Sequence, residues 1–160
     1  MLSDQVQEKI NRELKKYPAD QKQSAVMSAL RLVQDEKGWI SGDDMADVAA
    51  FLGMPKMAVY EVATFYHMYN LKPMGRHVLT VCTNLSCQLC GAEETLAYIK
   101  QKLGIGLGEV TPDGKFGLRE AECMGACVEA PLLTVDNKRM HHRLTPEKID
   151  QLLEELGGQP

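Results

Sequence analysis

The hydrophobic positions of the first 73 residues recur with the spacing of α-helices. Between residues 20 and 37, for example, Ala25, Ala29, Leu30 and Val33 fall on one side of a helix. Serine, glycine and proline residues at the ends of such segments act as helix start and stop signals. The pattern predicts four helices, at residues 4–16, 20–37 and 43–52 and from Pro55 onward.

The hydrophobic period changes in the second half of the chain. Residues 77–82, with the sequence HVLTVC, are rich in β-branched side chains and predict a strand. The remaining predicted elements are a helix at 91–103, strands at 115–122, 132–136 and about 139–142, and a helix that starts at 145–147. Apart from the short strand at about 139–142, the order is β-α-β-β-α, which is typical of a small thioredoxin-like sheet flanked by helices.

Pro73 and Gly75 separate these two patterns. We therefore predict an α+β chain, in which residues 1–73 form an N-terminal helical bundle and residues 74–160 form a thioredoxin-like domain.

Composition narrows the classes of function. The chain has 160 residues, of which 44% are hydrophobic and 25% are charged, and its net charge is −4. The acidic balance argues against a nucleic-acid-binding protein, which usually carries a basic patch. No apolar run approaches the roughly 20 residues that cross a bilayer, and the N-terminus lacks a signal-peptide pattern. We expect a cytoplasmic protein, linked to a membrane only through partners.

Four of the five cysteines form two pairs that suit an iron–sulfur centre. Cys82 and Cys87 are a C-x4-C pair, and Cys123 and Cys127 are a C-x3-C pair after a long intervening stretch. A [2Fe–2S] cluster needs four protein sulfurs, since each iron takes two besides the bridging sulfides. All four cysteines follow or precede ends of neighbouring predicted strands, where ligand sites gather in open α/β sheets. The pattern predicts a [2Fe–2S] centre on these four residues.

Small residues accompany the cysteine pairs. Gly91, Gly125 and Ala126 would let backbone N–H groups approach the sulfurs closely. Hydrogen bonds of this kind stabilise the negative charge of an iron–sulfur centre.

The residues alone leave two alternatives to an iron–sulfur centre. A structural zinc site also takes four thiolates, although its usual spacing is C-x2-C. A thiol–disulfide oxidoreductase would use Cys87 and Cys90, a C-x-x-C unit between a strand and a helix, with a cis-proline at Ala130-Pro131. In the absence of such a role, Cys90 is predicted to be a small apolar residue of the helix.

Several segments resemble one known family, the small iron–sulfur subunit of the NADH-dehydrogenase module of respiratory complex I. Its two cluster motifs are matched by residues 81–92 (VCTNLSCQLCGA) and 122–131 (ECMGACVEAP). The turn at 111–114 and, in the helical half, residues 33–41 (VQDEKGWIS) and 60–66 (YEVATFY) resemble the same family. The resemblance therefore spans nearly the whole chain.

This resemblance implies an N-terminal helical bundle, a thioredoxin-like ferredoxin domain and one [2Fe–2S] cluster on Cys82, Cys87, Cys123 and Cys127. It implies docking on a larger flavoprotein subunit that carries FMN and a [4Fe–4S] cluster and binds NAD, beside other subunits of the peripheral arm. The expected function is electron transfer in NADH:quinone oxidoreductase, with no catalysis by the isolated chain. Related small subunits of NAD-linked hydrogenases and formate dehydrogenases are alternatives.

Overall fold

Four helices form the first part of the chain in the computed structural model, which describes residues 1–158. They are α1 Asp4–Leu14, α2 Val26–Lys37, α3 Gly42–Leu52 and α4 Lys56–Phe65. All four predicted helices are confirmed, but two of their boundaries were wrong. Helix α1 ends before residue 16, because the N–H groups of Lys16 and Tyr17 bond three residues back instead of four. Residues 22–25 form a 3₁₀ turn, so α2 begins at Val26.

Side-chain caps explain where these helices start. The Ser3 hydroxyl accepts a hydrogen bond from the Val6 N–H at the start of α1. Ser41 and Asp44 form a capping box at the start of α3, since each side chain bonds the backbone N–H of the other. Gly38 ends α2 in the left-handed region, at φ 82°, a conformation that favours glycine.

The interior of this first unit, Met1–Pro73, is built from the apolar stripes of its four helices. One stripe of α2 contains Ala29, Leu30 and Val33, and all three side chains are buried. Other fully buried members come from α1, α3 and α4 and include Ile10, Val48 and Val59. Burial of such stripes, more than helix propensity, is what stabilises helices of this length.

The second unit, which begins at Met74, contains a four-stranded mixed sheet. Its elements, in chain order, are β1 His77–Cys82, α5 Leu85–Gln88, α6 Ala92–Leu103, β2 Phe116–Ala121, β3 Leu133–Val135, β4 Arg139–His141 and α7 Pro146–Gly157. The strand order is β2-β1-β3-β4, with β1 and β2 parallel and the other neighbours antiparallel. The predicted α+β fold with a thioredoxin-like sheet is confirmed.

The strands of this unit are shorter than the sequence pattern predicted. Strand β2 lacks residues 115 and 122, and β3 lacks residues 132 and 136. Asp136 and Asn137 both have positive φ, near 55°, and form the tight turn between β3 and β4. Such turns need positive φ at both central residues, so β3 must end before Asp136.

Helices α6 and α7 supply the apolar cover of the sheet. Ile99 of α6 and Ile149 of α7 are buried in one cluster with Leu79, Leu118 and Leu133 of β1, β2 and β3. No described helix is both long enough and apolar enough to span a lipid bilayer.

Candidate metal centre

The sheet brings the two cysteine pairs to one edge. Cys82 is the last residue of β1 and lies opposite Ala121, the last residue of the parallel strand β2. Cys123 follows β2 by two residues. Cys127 begins a 3₁₀ turn, Cys127–Glu129, ahead of β3, which runs antiparallel to β1 and therefore starts at the same edge. The carboxyl ends of β1 and β2 and the start of β3 thus meet where the cysteines lie.

Contacts between the thiols define two pairs. The Cys123 and Cys127 sulfurs are 3.4 Å apart. The Cys82 and Cys87 side chains pack in one buried cluster, and the Cys127 sulfur lies near enough to interact electrostatically with both of them. The four sulfurs that the sequence singles out therefore form one group composed of two close pairs.

The two pairs differ in burial. Cys82 and Cys87 are each 1% exposed, and they pack with Ala92 and Leu132. Cys123 and Cys127 are exposed. Leu132 connects the buried pair to the start of β3, because its carbonyl accepts a hydrogen bond from the Cys82 N–H.

The local surroundings set the protonation of the thiols. Burial, followed by the neighbouring Cys82 thiol, raises the pKa of Cys87 to about 12. The Cys123 thiol has a lowered pKa, chiefly because it accepts the Gly125 N–H. The same Cys123 thiol raises the pKa of Cys127. A metal that binds Cys87 must displace the proton that this thiol retains near neutral pH, so binding releases a proton.

A backbone N–H group bonds the Cys123 sulfur. The Gly125 nitrogen lies 3.4 Å from that sulfur, and Gly125 has φ +81°. The sequence indicated Gly125 as such a donor.

Two local structures differ from prediction. The sequence pattern predicts no helix at Cys87, but this residue lies in α5, a one-turn helix in which the Gln88 and Leu89 N–H groups bond back four residues. Cys90 was placed in a helix as an apolar residue, but it is exposed in the turn between α5 and α6. Gly91, at φ 89°, separates the two helices and leaves Cys90 outside both.

The dithiol alternative fits these surroundings poorly. Cys87 is buried and paired with Cys82, whereas its C-x-x-C partner Cys90 faces solvent. A raised pKa keeps the Cys87 thiol protonated near neutral pH, and the thiolate is the nucleophile in thiol–disulfide exchange. The Ala130–Pro131 peptide bond is cis, as the sequence suggested for this alternative.

The donor set fits a binuclear iron–sulfur cluster. Each iron of a [2Fe–2S] cluster takes two protein sulfurs, and the structure presents two pairs of thiols, with the Gly125 N–H directed at the Cys123 sulfur. Within residues 1–158, no group of three or more Cys, His, Asp or Glu side chains is arranged around a single metal position.

Comparison with protein families identifies the chain. The family model described as thioredoxin-like [2Fe-2S] ferredoxin matches residues 10–157. The chain belongs to this family. The matched residues include most of the N-terminal helical region as well as the sheet.

Named relatives of this ferredoxin are subunits of one kind of enzyme complex. It is 45% identical to an NADH-quinone oxidoreductase subunit from Rickettsia bellii over 144 residues, which cover 89% of this chain and 86% of the relative. It is 41% identical to an NADH-quinone oxidoreductase subunit from Thermus thermophilus, covering 86% and 76% of the two chains. The resemblance found in the sequence is therefore confirmed, and the chain is a homologue of oxidoreductase subunits.

A solved structure shares the fold. A chain of an NAD+-reducing [NiFe]-hydrogenase in the H₂-reduced state matches with a TM-score of 0.73 at 20% identity. The match covers 85% of the ferredoxin but only 22% of the hydrogenase chain. At 20% identity, the match shows that the two chains share a fold.

Proposed function

We propose that this ferredoxin is an electron-transfer subunit of NADH:quinone oxidoreductase, with one [2Fe–2S] cluster bound by Cys82, Cys87, Cys123 and Cys127. The observation that carries the proposal is the grouping of these four thiols into two pairs at one sheet edge. Homology to NADH-quinone oxidoreductase subunits over most of the chain supports the assignment to that complex.

The four cysteines divide the work of holding the cluster. Cys82 and Cys87 would hold it on the buried side, where they pack with Ala92 and Leu132. Cys123 and Cys127 would hold it on the surface side. A cluster held in this way supplies reversible one-electron transfer, and its added negative charge on reduction needs donors directed at the sulfurs.

Electrons would enter and leave through the exposed side of the centre. Leu85, Leu89 and Val128 lie beside the cysteines in sequence and are 68%, 80% and 90% exposed. Exposed apolar residues beside a redox site suit a protein partner. In this proposal the partner is a larger flavoprotein subunit with FMN, an NAD site and a [4Fe–4S] cluster, within a peripheral arm at the cytoplasmic side of a membrane.

The equivalent subunit of an NAD-linked hydrogenase or formate dehydrogenase is a second candidate. The match to the hydrogenase chain supports this second candidate only through a shared fold. Purification of the chain from its source with attached subunits separates these candidates. A copurifying quinone-reducing assembly supports complex I, and a nickel-containing or formate-oxidising assembly contradicts it.

EPR of the anaerobically purified protein tests the centre itself. The oxidised protein is expected to be silent and to gain an S = ½ signal after dithionite, with two irons per chain. Bound zinc, or a reduced protein without a signal, would overturn the proposal.

A further inference from the structure

The sheet edge that carries the cysteines, called the cysteine edge below, has a distinct charge. We infer that this edge is an acidic docking surface, and that its partner carries lysine or arginine side chains around an apolar centre. The inference rests on the proposed function, in which the partner is the larger flavoprotein subunit, and it adds the charge of that partner's surface.

The centre of the cysteine edge is apolar and exposed. Leu85 begins α5 and Leu89 follows it, and both are exposed although Cys87 of the same turn is buried. Val128 is exposed directly after Cys127. Apolar side chains grouped beside a redox centre lose their contact with water only when another surface covers them, so they mark an interface.

Helix α6 brings two carboxylates to this edge. Its first residue, Ala92, packs with Cys82 and Cys87. Glu93 and Glu94 follow in the first turn, and both are exposed. Two negative charges therefore lie next to the buried cysteine pair.

Strand β2 and the segments after it add three more carboxylates. Glu120 is the last residue but one of β2. The Glu122 carboxylate accepts a hydrogen bond of 2.9 Å from the Asn84 side chain, so it lies beside the segment that leads into α5. Glu129 forms an ion pair of 2.7 Å with Arg143, which neutralises its charge.

Basic residues are missing from both cysteine segments of the sequence. Residues 77–99 and 120–137 contain six carboxylates and no lysine or arginine. One of the six, Asp136, lies in the turn after β3, at the opposite edge of the sheet. With Glu129 paired, four carboxylates of these segments remain at the cysteine edge. A bound cluster with four thiolates adds further negative charge.

The sign of this charge selects the occupant. A second copy of this chain would bring the same carboxylates against each other, and like charges across an interface oppose association. Anionic lipid headgroups and nucleic-acid phosphates are repelled for the same reason. A basic rim on the partner complements the carboxylates, which raises the association rate and favours the correct partner.

The first experiment measures electron transfer from the reduced, full-length protein to two oxidants of opposite charge. Oxidised cytochrome c, a basic protein, and ferricyanide, a small anion, each accept one electron from the reduced cluster. Rates are measured by stopped flow from about 0.01 M to about 1 M salt, over which the Debye length falls from about 30 Å to about 3 Å. We expect the rate with cytochrome c to fall about tenfold and the rate with ferricyanide to rise.

Variants locate the charge on the cysteine edge. Glu93→Gln/Glu94→Gln removes two charges, and Glu93→Gln removes one. Glu154→Gln is the matched single control, because Glu154 is exposed in the last turn of α7, where Lys115 bonds the Gly157 carbonyl beside the start of β2. The measured quantity is the ratio of the cytochrome c rate to the ferricyanide rate, in which a change of reduction potential largely cancels.

At low salt the ratio is expected to fall about threefold in the double variant and less in Glu93→Gln, and to stay near the wild type in Glu154→Gln. An unchanged ratio in the double variant, or an equal fall in Glu93→Gln and Glu154→Gln, overturns the inference. A rate with cytochrome c that rises with salt also overturns it.

The second experiment tests docking in the copurified assembly. During washing at rising salt, the double variant is expected to leave the assembly at a lower salt concentration than the wild type or Glu154→Gln. Retention of the double variant to the same salt concentration contradicts an acidic docking surface.

These outcomes are distinct from failure of the proposed function. A wild-type protein without a [2Fe–2S] signal contradicts the function itself. A wild-type signal, with rates and docking that do not depend on these carboxylates, contradicts only the acidic docking surface.

Discussion

The two cysteine pairs have the same proposed task but opposite surroundings. Cys82 and Cys87 extend from the central strand β1 and are enclosed by apolar neighbours, whereas Cys123 and Cys127 lie on a surface segment between β2 and β3. In the proposed function, this difference means that the buried pair would anchor the cluster and the exposed pair would face water and a partner protein. Four substitutions can break or sharpen this comparison.

The largest effect is expected from the buried pair. Cys87→Ser places a hydroxyl in an apolar site and replaces a soft ligand by a harder one. Leaving a buried hydroxyl without a partner costs about 1–3 kcal/mol. We expect loss of the EPR signal and of bound iron, measured on the anaerobically purified protein. Iron content equal to that of the wild type would contradict the anchoring role.

The same change in the exposed pair is expected to be milder. A serine at position 127 remains solvated, so Cys127→Ser carries no burial penalty. We expect partial retention of iron, with an altered EPR spectrum and a lower potential, because a serine oxygen favours the oxidised metal. The comparison fails if Cys127→Ser and Cys87→Ser lose iron to the same extent.

A smaller effect is expected from weakening the hydrogen bond between the Gly125 N–H and the Cys123 sulfur. Gly125→Ala meets no steric clash, but it forces an alanine to φ +81°, which costs about 1–2 kcal/mol and weakens the bond to the Cys123 sulfur. Gly104→Ala is the matched control, since Gly104 has φ +67°, equally open space and a position at the far end of α6. A lower potential is expected only for Gly125→Ala. Equal potentials in the two variants would exclude a role for this amide.

The smallest effect is expected at the fifth cysteine. Cys90→Ala changes an exposed side chain in the turn after α5. We expect unchanged iron content and an unchanged potential in a redox titration. Loss of the cluster would make Cys90 a ligand, and a dithiol activity abolished by this substitution would restore the thioredoxin-type alternative.

The sequence predicted the parts of the fold that depend on periodic patterns. The stripe of Ala29, Leu30 and Val33 and the β-branched run of β1 each extend over enough residues to define a period. The thioredoxin-like sheet followed from the order of these elements, because parallel neighbours joined by a helix are the usual outcome of a β-α-β sequence.

The local structure around the cysteines could not be predicted in this way. Helix α5 and the turn at Cys127 have four and three residues, too few to show a helical period. The hydrogen bond from the Cys82 N–H to the Leu132 carbonyl joins residues that are 50 positions apart in the chain. Contacts of that kind form only in the folded sheet. The spacing of the cysteines in the sequence therefore could not show that one pair is buried and the other exposed.

The position of β1 between β2 and β3 has a consequence for biosynthesis. Cys82 and Cys87 are synthesised together with β1. The two strands that pair with β1, namely β2 and β3, are synthesised later. Translation of the intervening residues takes on the order of a few seconds. During that interval a nascent chain offers only two of the four thiols proposed as ligands, so under this proposal delivery of iron and sulfide would wait until the second pair has been synthesised.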